Sequence, residues 1–81
     1  MKISASEKQA AVGFIRDYGA KTARQVTNRL QRTKRTGIGI PEVRRFLNGI
    51  SGEGKRLLKK KSGRNWVYYL NPSYTPPPPQ S

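Results

Sequence analysis

PEVRRFLNGISGEGKRLLKKKSGRNWVYYL, residues 41–70, contains one helical pattern followed by two strand patterns. Pro41 suits the first turn of a helix, because the N–H that proline lacks has no helical partner there. Four apolar residues then recur at the i, i+3, i+4, i+7 spacing of one helical face: Val43, Phe46, Leu47 and Ile50. The glycines that follow predict that this helix ends by residue 50 to 52.

The two strand patterns predict a β-hairpin. They are Leu57–Lys61 and Trp66–Leu70, and the second is rich in aromatic and β-branched residues. Ser62-Gly63-Arg64-Asn65 between them has the composition of a tight turn. One face of the second strand must cover the core, and we expect Trp66 to pack in the core or at the base of the hairpin.

Two helices are predicted upstream, and each begins with a capping box. Ser4-Ala5-Ser6-Glu7 opens the first, whose apolar stripe ends before Gly19. Thr22-Ala23-Arg24-Gln25 opens the second. The predicted stripe of the first helix is Ala11, Phe14, Ile15 and Tyr18. The second turns Ala23, Val26 and Leu30 inward and Arg24, Arg29 and Arg32 outward.

The segment 33–40 predicts a loop, because it has two glycines and no helical period. Ile38 or Ile40 is expected to enter the core or to form a short strand that pairs with the hairpin. Together these elements predict a small α+β domain over residues 1–71. Residues 72–81, with four consecutive prolines, predict a Pro-rich flexible tail.

Composition argues against an enzyme. The 81 residues include no cysteine and no histidine, and the carboxylates are only four. The commonest general base and the commonest metal ligands are therefore missing, so we expect no catalytic residue, no metal, no cofactor and no small-molecule substrate.

Charge points to a polyanionic partner. The net charge is +13, and it is concentrated in residues 20–35 and 55–81, which contain no acidic residue. Such self-repulsion is costly in a small domain unless a polyanion compensates it. No apolar run approaches the ~20 residues of a membrane span, so we expect a cytoplasmic, nucleoid-associated protein and no membrane partner.

The order of three helices and a hairpin resembles a winged helix-turn-helix DNA-binding domain over about residues 4–71. The resemblance is carried by residues 14–19, 22–26, 41–47, 57–58 and 66–70. The resemblance implies that the third helix enters the major groove and that the hairpin, or wing, contacts the backbone or the minor groove. On the third helix it assigns base or phosphate contacts to Arg44, Arg45 and Asn48. On the wing it assigns Lys59, Lys60, Lys61, Arg64 and Asn65. The candidate backbone contacts are Arg24, Arg29, Lys34 and Arg35.

The sequence therefore predicts a protein that binds double-stranded DNA with some sequence preference, as a small transcriptional regulator or a nucleoid or phage control protein. Association with further copies on DNA would raise its specificity. Two alternatives stay open at this point. One is an RNA- or ribosome-binding winged helix, and the other is a protein-interaction module that docks a host factor.

Overall fold

The computed structural model describes residues 2–74, and the part of the predicted tail from residue 75 onward lies outside them. It has the predicted α+β class: three helices followed by a two-stranded antiparallel hairpin, a winged helix-like layout. The elements in chain order are α1 (Ala5–Tyr18), β1 (Lys21–Thr22), α2 (Ala23–Thr33), α3 (Ile40–Gly49), β2 (Leu57–Ser62) and β3 (Asn65–Leu70). No helix within residues 2–74 is long and apolar enough to cross a membrane.

Both predicted capping boxes are present. The Ser4 hydroxyl accepts from the first-turn amide of Glu7 in α1, and the Thr22 hydroxyl accepts from that of Gln25 in α2. These bonds satisfy amides that have no partner within the helix. Helix α3 begins one residue before Pro41. It ends at Gly49, one residue before the predicted range of 50 to 52.

The sheet contains one strand that the sequence did not predict. The two-residue strand β1 pairs antiparallel with β3, so the strand order is β1-β3-β2. A two-residue strand is too short to show alternation, and its pairing depends on where α1 ends. The hairpin turn is Gly63-Arg64, in which Gly63 has a φ of 62°. That positive φ at the first turn position suits a two-residue loop and favours glycine.

The core lies where the three helices meet the sheet. Its buried apolar residues are Ala11, Ile15, Ala23, Val26, Leu30, Ile38, Val43, Leu47, Leu57 and Tyr68. Ile38 is fully buried in the loop before α3, and the alternative of a strand at this loop is wrong. Tyr18, by contrast, lies outside the core, with 62% of its surface exposed at the C-terminal end of α1. Its ring contacts the Phe14 ring and the Arg29 guanidinium there.

The chain remains attached to the domain beyond the hairpin. The Asn71 side chain donates to the Lys55 carbonyl and accepts from the Ser73 amide. The Arg56 guanidinium lies over the Tyr74 ring, 5.7 Å from its centroid. The first three residues of the predicted tail therefore form a turn against the domain.

The buried carboxylate of Glu7 makes the stability of α1 dependent on pH. The Ser4 backbone N–H donates to it at 2.9 Å. This bond lowers the pKa of Glu7 below its ordinary value of 4.5, with help from the Thr36 side chain and despite burial. Because the folded pKa is depressed, the contribution of Glu7 is complete above pH 4.5 and is lost as the pH falls through the folded pKa.

Replacing Glu7 with glutamine is expected to reduce this pH dependence. The amide can still accept from Ser4, but it carries no charge to titrate. Thermal unfolding at pH 7 and pH 3 should show a smaller loss of Tm for Glu7→Gln than for wild type. Glu53→Gln, at an exposed position, is the control and should keep the wild-type loss. Equal losses in all three proteins would contradict the assignment.

Candidate nucleic-acid interface

A concavity of about 420 Å³ separates the hairpin from α2 and α3, and we call it the central groove. It is bounded by the N-terminal end of α2, one face of α3, and the hairpin with its tip. The residues that line it are Thr22, Ala23, Arg24, Arg44, Asn48, Lys59, Arg64, Asn65, Trp66 and Tyr68. Four of these side chains are cationic and none is a carboxylate, so the groove favours an anionic ligand.

Helix α3 presents two of its three predicted contact residues to the central groove. Arg44 and Asn48 are four residues apart, which places them one above the other on the same face. Arg45 is exposed but lines a different concavity, formed with Lys2 and Phe46. The structure therefore separates Arg45 from the pair with which the sequence grouped it.

The hairpin divides its three consecutive lysines between its two faces. Lys59 is paired with Tyr68 and Lys61 with Trp66, and residues opposite each other share a face. That face carries Lys59, Trp66 and Tyr68 into the central groove. Lys60 is on the other face, where its Nζ lies 5.4 Å from the centroid of the Tyr69 ring. At the tip, Arg64 and Asn65 line the groove as well.

Trp66 is part of this surface, and the expectation that it packs in the core or at the hairpin base is wrong. Its side chain is 48% exposed, next to the turn. Tyr68, two residues further along the same face, is buried. The helices cover the strand at Tyr68 but do not extend to the tip. The Lys59 ammonium lies 5.3 Å from the Trp66 ring centroid, in the range of a cation–π contact.

The N-terminus of α2 adds positive potential to the central groove. The first turn of α2 contains no acidic residue, whereas α1 has Glu7 and α3 has Glu42 at the corresponding position. The positive end of the α2 dipole is therefore not offset by an acid in its first turn. Arg24 extends from this turn and lines the groove.

The remaining predicted backbone contacts lie elsewhere. The Arg29 guanidinium lies over the Phe14 and Tyr18 rings, 5.3 and 5.5 Å from their centroids. Lys34 shares a separate concavity with Arg29. Arg35 follows α2 with a φ of 50° and does not line the central groove. Of the four candidates, only Arg24 is brought into the groove.

A hydrogen bond that the sequence did not reveal connects α3 to the sheet inside the groove. The Tyr68 hydroxyl donates to Asn48 Oδ1 at 2.6 Å. Burial raises the pKa of Tyr68 above its ordinary value, although the positive charge of Arg44 opposes the effect. The phenol is therefore neutral at pH 7 and available as a donor. No sequence pattern relates residues 48 and 68, because their contact depends on how α3 packs on β3.

Within residues 2–74, no group of three or more acidic, histidine or cysteine side chains could hold a metal ion. Nor does any protein-family model, curated protein or solved structure match the chain. The chemistry of the central groove is therefore the basis for a functional assignment. Its side chains supply cations, hydrogen-bond donors and one exposed indole ring.

Proposed function

We propose that this protein binds double-stranded DNA through the central groove, with α3 in the major groove and the hairpin on the backbone or the minor groove. The observation that carries the proposal is the convergence of Arg24, Arg44, Lys59 and Arg64 on one concavity, whose lining within residues 2–74 includes no carboxylate. Phosphate contacts by such cations provide affinity, and base edges provide selection.

The dimensions of α3 support this docking. An α-helix such as α3 is about 10–12 Å across with its side chains. The major groove of B-DNA is about 12 Å wide and accommodates a helix. Arg44 and Asn48 lie on the face of α3 that lines the central groove, and Arg64 lies at the hairpin tip, on the opposite wall. A duplex that receives α3 would therefore bring its backbone close to the tip.

The biological role that fits such binding is control by occupancy, as in a small transcriptional regulator or a nucleoid or phage control protein. One helix and one hairpin read a short site, so binding of further copies along DNA would increase specificity. Association with the nucleoid in the cytoplasm belongs to the same proposal. If the protein does not bind DNA, this localisation is not supported either.

Binding to single-stranded or looped RNA is the second candidate, and the exposed indole of Trp66 favours it. Unpaired bases stack on aromatic side chains, and Lys59 beside the ring would neutralise a phosphate. A competition experiment separates the two. We expect an unlabelled random-sequence duplex to displace a labelled duplex more effectively than a structured RNA does at equal salt. The reverse order would favour RNA.

Removal of Arg64 is expected to weaken duplex binding and its salt dependence together. If Arg64 neutralises one phosphate, Arg64→Ala should lower the slope of log K against log salt by about one unit. Arg56→Ala removes the same charge from a concavity outside the central groove and is the matched control. Its slope should stay at the wild-type value. If Arg64→Ala and Arg56→Ala have equal salt slopes, Arg64 is not a specific phosphate contact, and the DNA backbone must be bound at another surface.

A further inference from the structure

The Asn48 side chain is held in one orientation by two donors. Its Oδ1 accepts from the Tyr68 hydroxyl at 2.6 Å and lies 3.4 Å from Lys59 Nζ. Tyr68 is only 2% exposed, so its hydroxyl is fixed by the packing of β3. A carboxamide oxygen has two lone pairs, and these two contacts use both of them.

Lys59 determines which end of the amide faces the sheet. An ammonium group only donates hydrogen bonds, so it cannot bond to an amide NH₂. A flipped Asn48 would place its NH₂ against that ammonium and lose the contact. The amide oxygen therefore faces Tyr68 and Lys59. The NH₂ group, with two donors, is the part of Asn48 left for a ligand in the groove.

Base recognition by asparagine depends on this orientation. Bidentate reading of adenine requires an acceptor for N6–H and a donor for N7, and Asn48 has only the donor to give. The cationic side chains that line the groove also only donate. In the major groove, guanine and thymine present a carbonyl oxygen to such donors, whereas adenine and cytosine present an amino group.

We infer that the central groove selects keto bases at the position that Asn48 contacts, guanine foremost, and disfavours adenine. Guanine is preferred because it offers two acceptors, N7 and O6. Tyr68 acts as a positioning residue for this selection, since it holds the acceptor of Asn48 away from the DNA. This inference rests on the proposed binding of duplex DNA, and it reverses the usual preference of asparagine for adenine.

Selection from a random-sequence duplex pool tests the inference. The pool is selected with wild type, Asn48→Ala, Tyr68→Phe and the control Tyr69→Phe, which removes a hydroxyl from the opposite face of β3. The position whose preference disappears in Asn48→Ala is the one that Asn48 reads. There we expect wild type and Tyr69→Phe to favour guanine over adenine by about 5-fold or more. In Tyr68→Phe we expect the ratio to fall to about 2-fold or less. The short bond to the amide oxygen is lost and only the exposed 3.4 Å contact with Lys59 remains, so the amide can turn and offer its acceptor.

Asn48→Asp provides a second variant should Tyr68→Phe fail to fold. One carboxylate oxygen would stay with Tyr68 and Lys59, and the other would offer an acceptor, so the preference should move toward cytosine or adenine. Adenine favoured by wild type at this position would overturn the inference, and so would an unchanged preference in Asn48→Asp. If the protein binds duplex DNA but shows no base preference at that position, the inference about Asn48 is wrong and the proposed function is still supported. No duplex binding would overturn the proposed function itself.

Discussion

Replacing Leu47 with alanine is expected to lower the free energy of unfolding by about 2–5 kcal/mol. Leu47 is completely buried on the inner face of α3 and belongs to the core between the helices and the sheet. Truncation removes its apolar contacts and leaves a cavity that the neighbours fill only in part. A domain of this size has a total stability of about 4–12 kcal/mol, so much of the population would be unfolded at moderate temperature.

Thermal or urea unfolding followed by circular dichroism measures this effect. The Tm of Leu47→Ala should fall by about 10 °C or more. Leu70→Ala is the control, because Leu70 is 36% exposed at the end of β3. Its loss should be about 1 kcal/mol or less. A Leu47→Ala variant as stable as Leu70→Ala would contradict the packing of α3 against α2 and the core.

Replacing Arg44 with alanine is expected to weaken binding at preferred DNA sites by roughly 5- to 150-fold. Arg44 lines the central groove one turn before Asn48, where a guanidinium can donate to both acceptors of a guanine. The loss should be larger at a selected site than at random sequence, since a base contact carries sequence information and a phosphate contact does not. Fluorescence anisotropy with the two duplexes measures both losses.

The matched control is the neighbouring Arg45→Ala, which makes the same change on the same helix. Arg45 lies outside the central groove, so its removal should change affinity by about 3-fold or less, through screened long-range attraction. Both variants should retain the wild-type Tm, since both side chains are exposed. A loss for Arg45→Ala as large and as site-dependent as that for Arg44→Ala would move the interface to the other face of α3.

The helices and the hairpin could be predicted from the sequence because their signals are local. Ser4 and Thr22 start their helices through bonds to residues three positions away, and the Gly63 turn depends on one backbone angle. The short strand β1 could not be predicted, because its pairing with β3 requires α1 and α2 to be in place. The sequence also could not decide between burial of Ile38, burial of Ile40 and a short strand in this loop, because the outcome depends on how the helices pack together.

The composition of the site was predicted in part. Charge and helical position indicated Arg24, Arg44 and Asn48, and the turn indicated the hairpin tip. Arg44 lines the central groove and Arg45 does not. This difference depends on which face of α3 is turned toward the hairpin, and that is set by tertiary packing. The exposure of Trp66 depends on how far the helices extend along β3, and the hydrophobic periodicity of the sequence does not indicate this.

The single tryptophan of the chain provides the most direct test that the central groove binds duplex DNA. Trp66 is half exposed on the wall of that groove, so a duplex held there must change its surroundings. Titration of the protein with duplex DNA should change Trp66 emission in step with the anisotropy of the labelled DNA, and both should weaken with salt. A duplex that binds by anisotropy and leaves Trp66 emission unchanged, or that does not bind at low salt, would contradict the account.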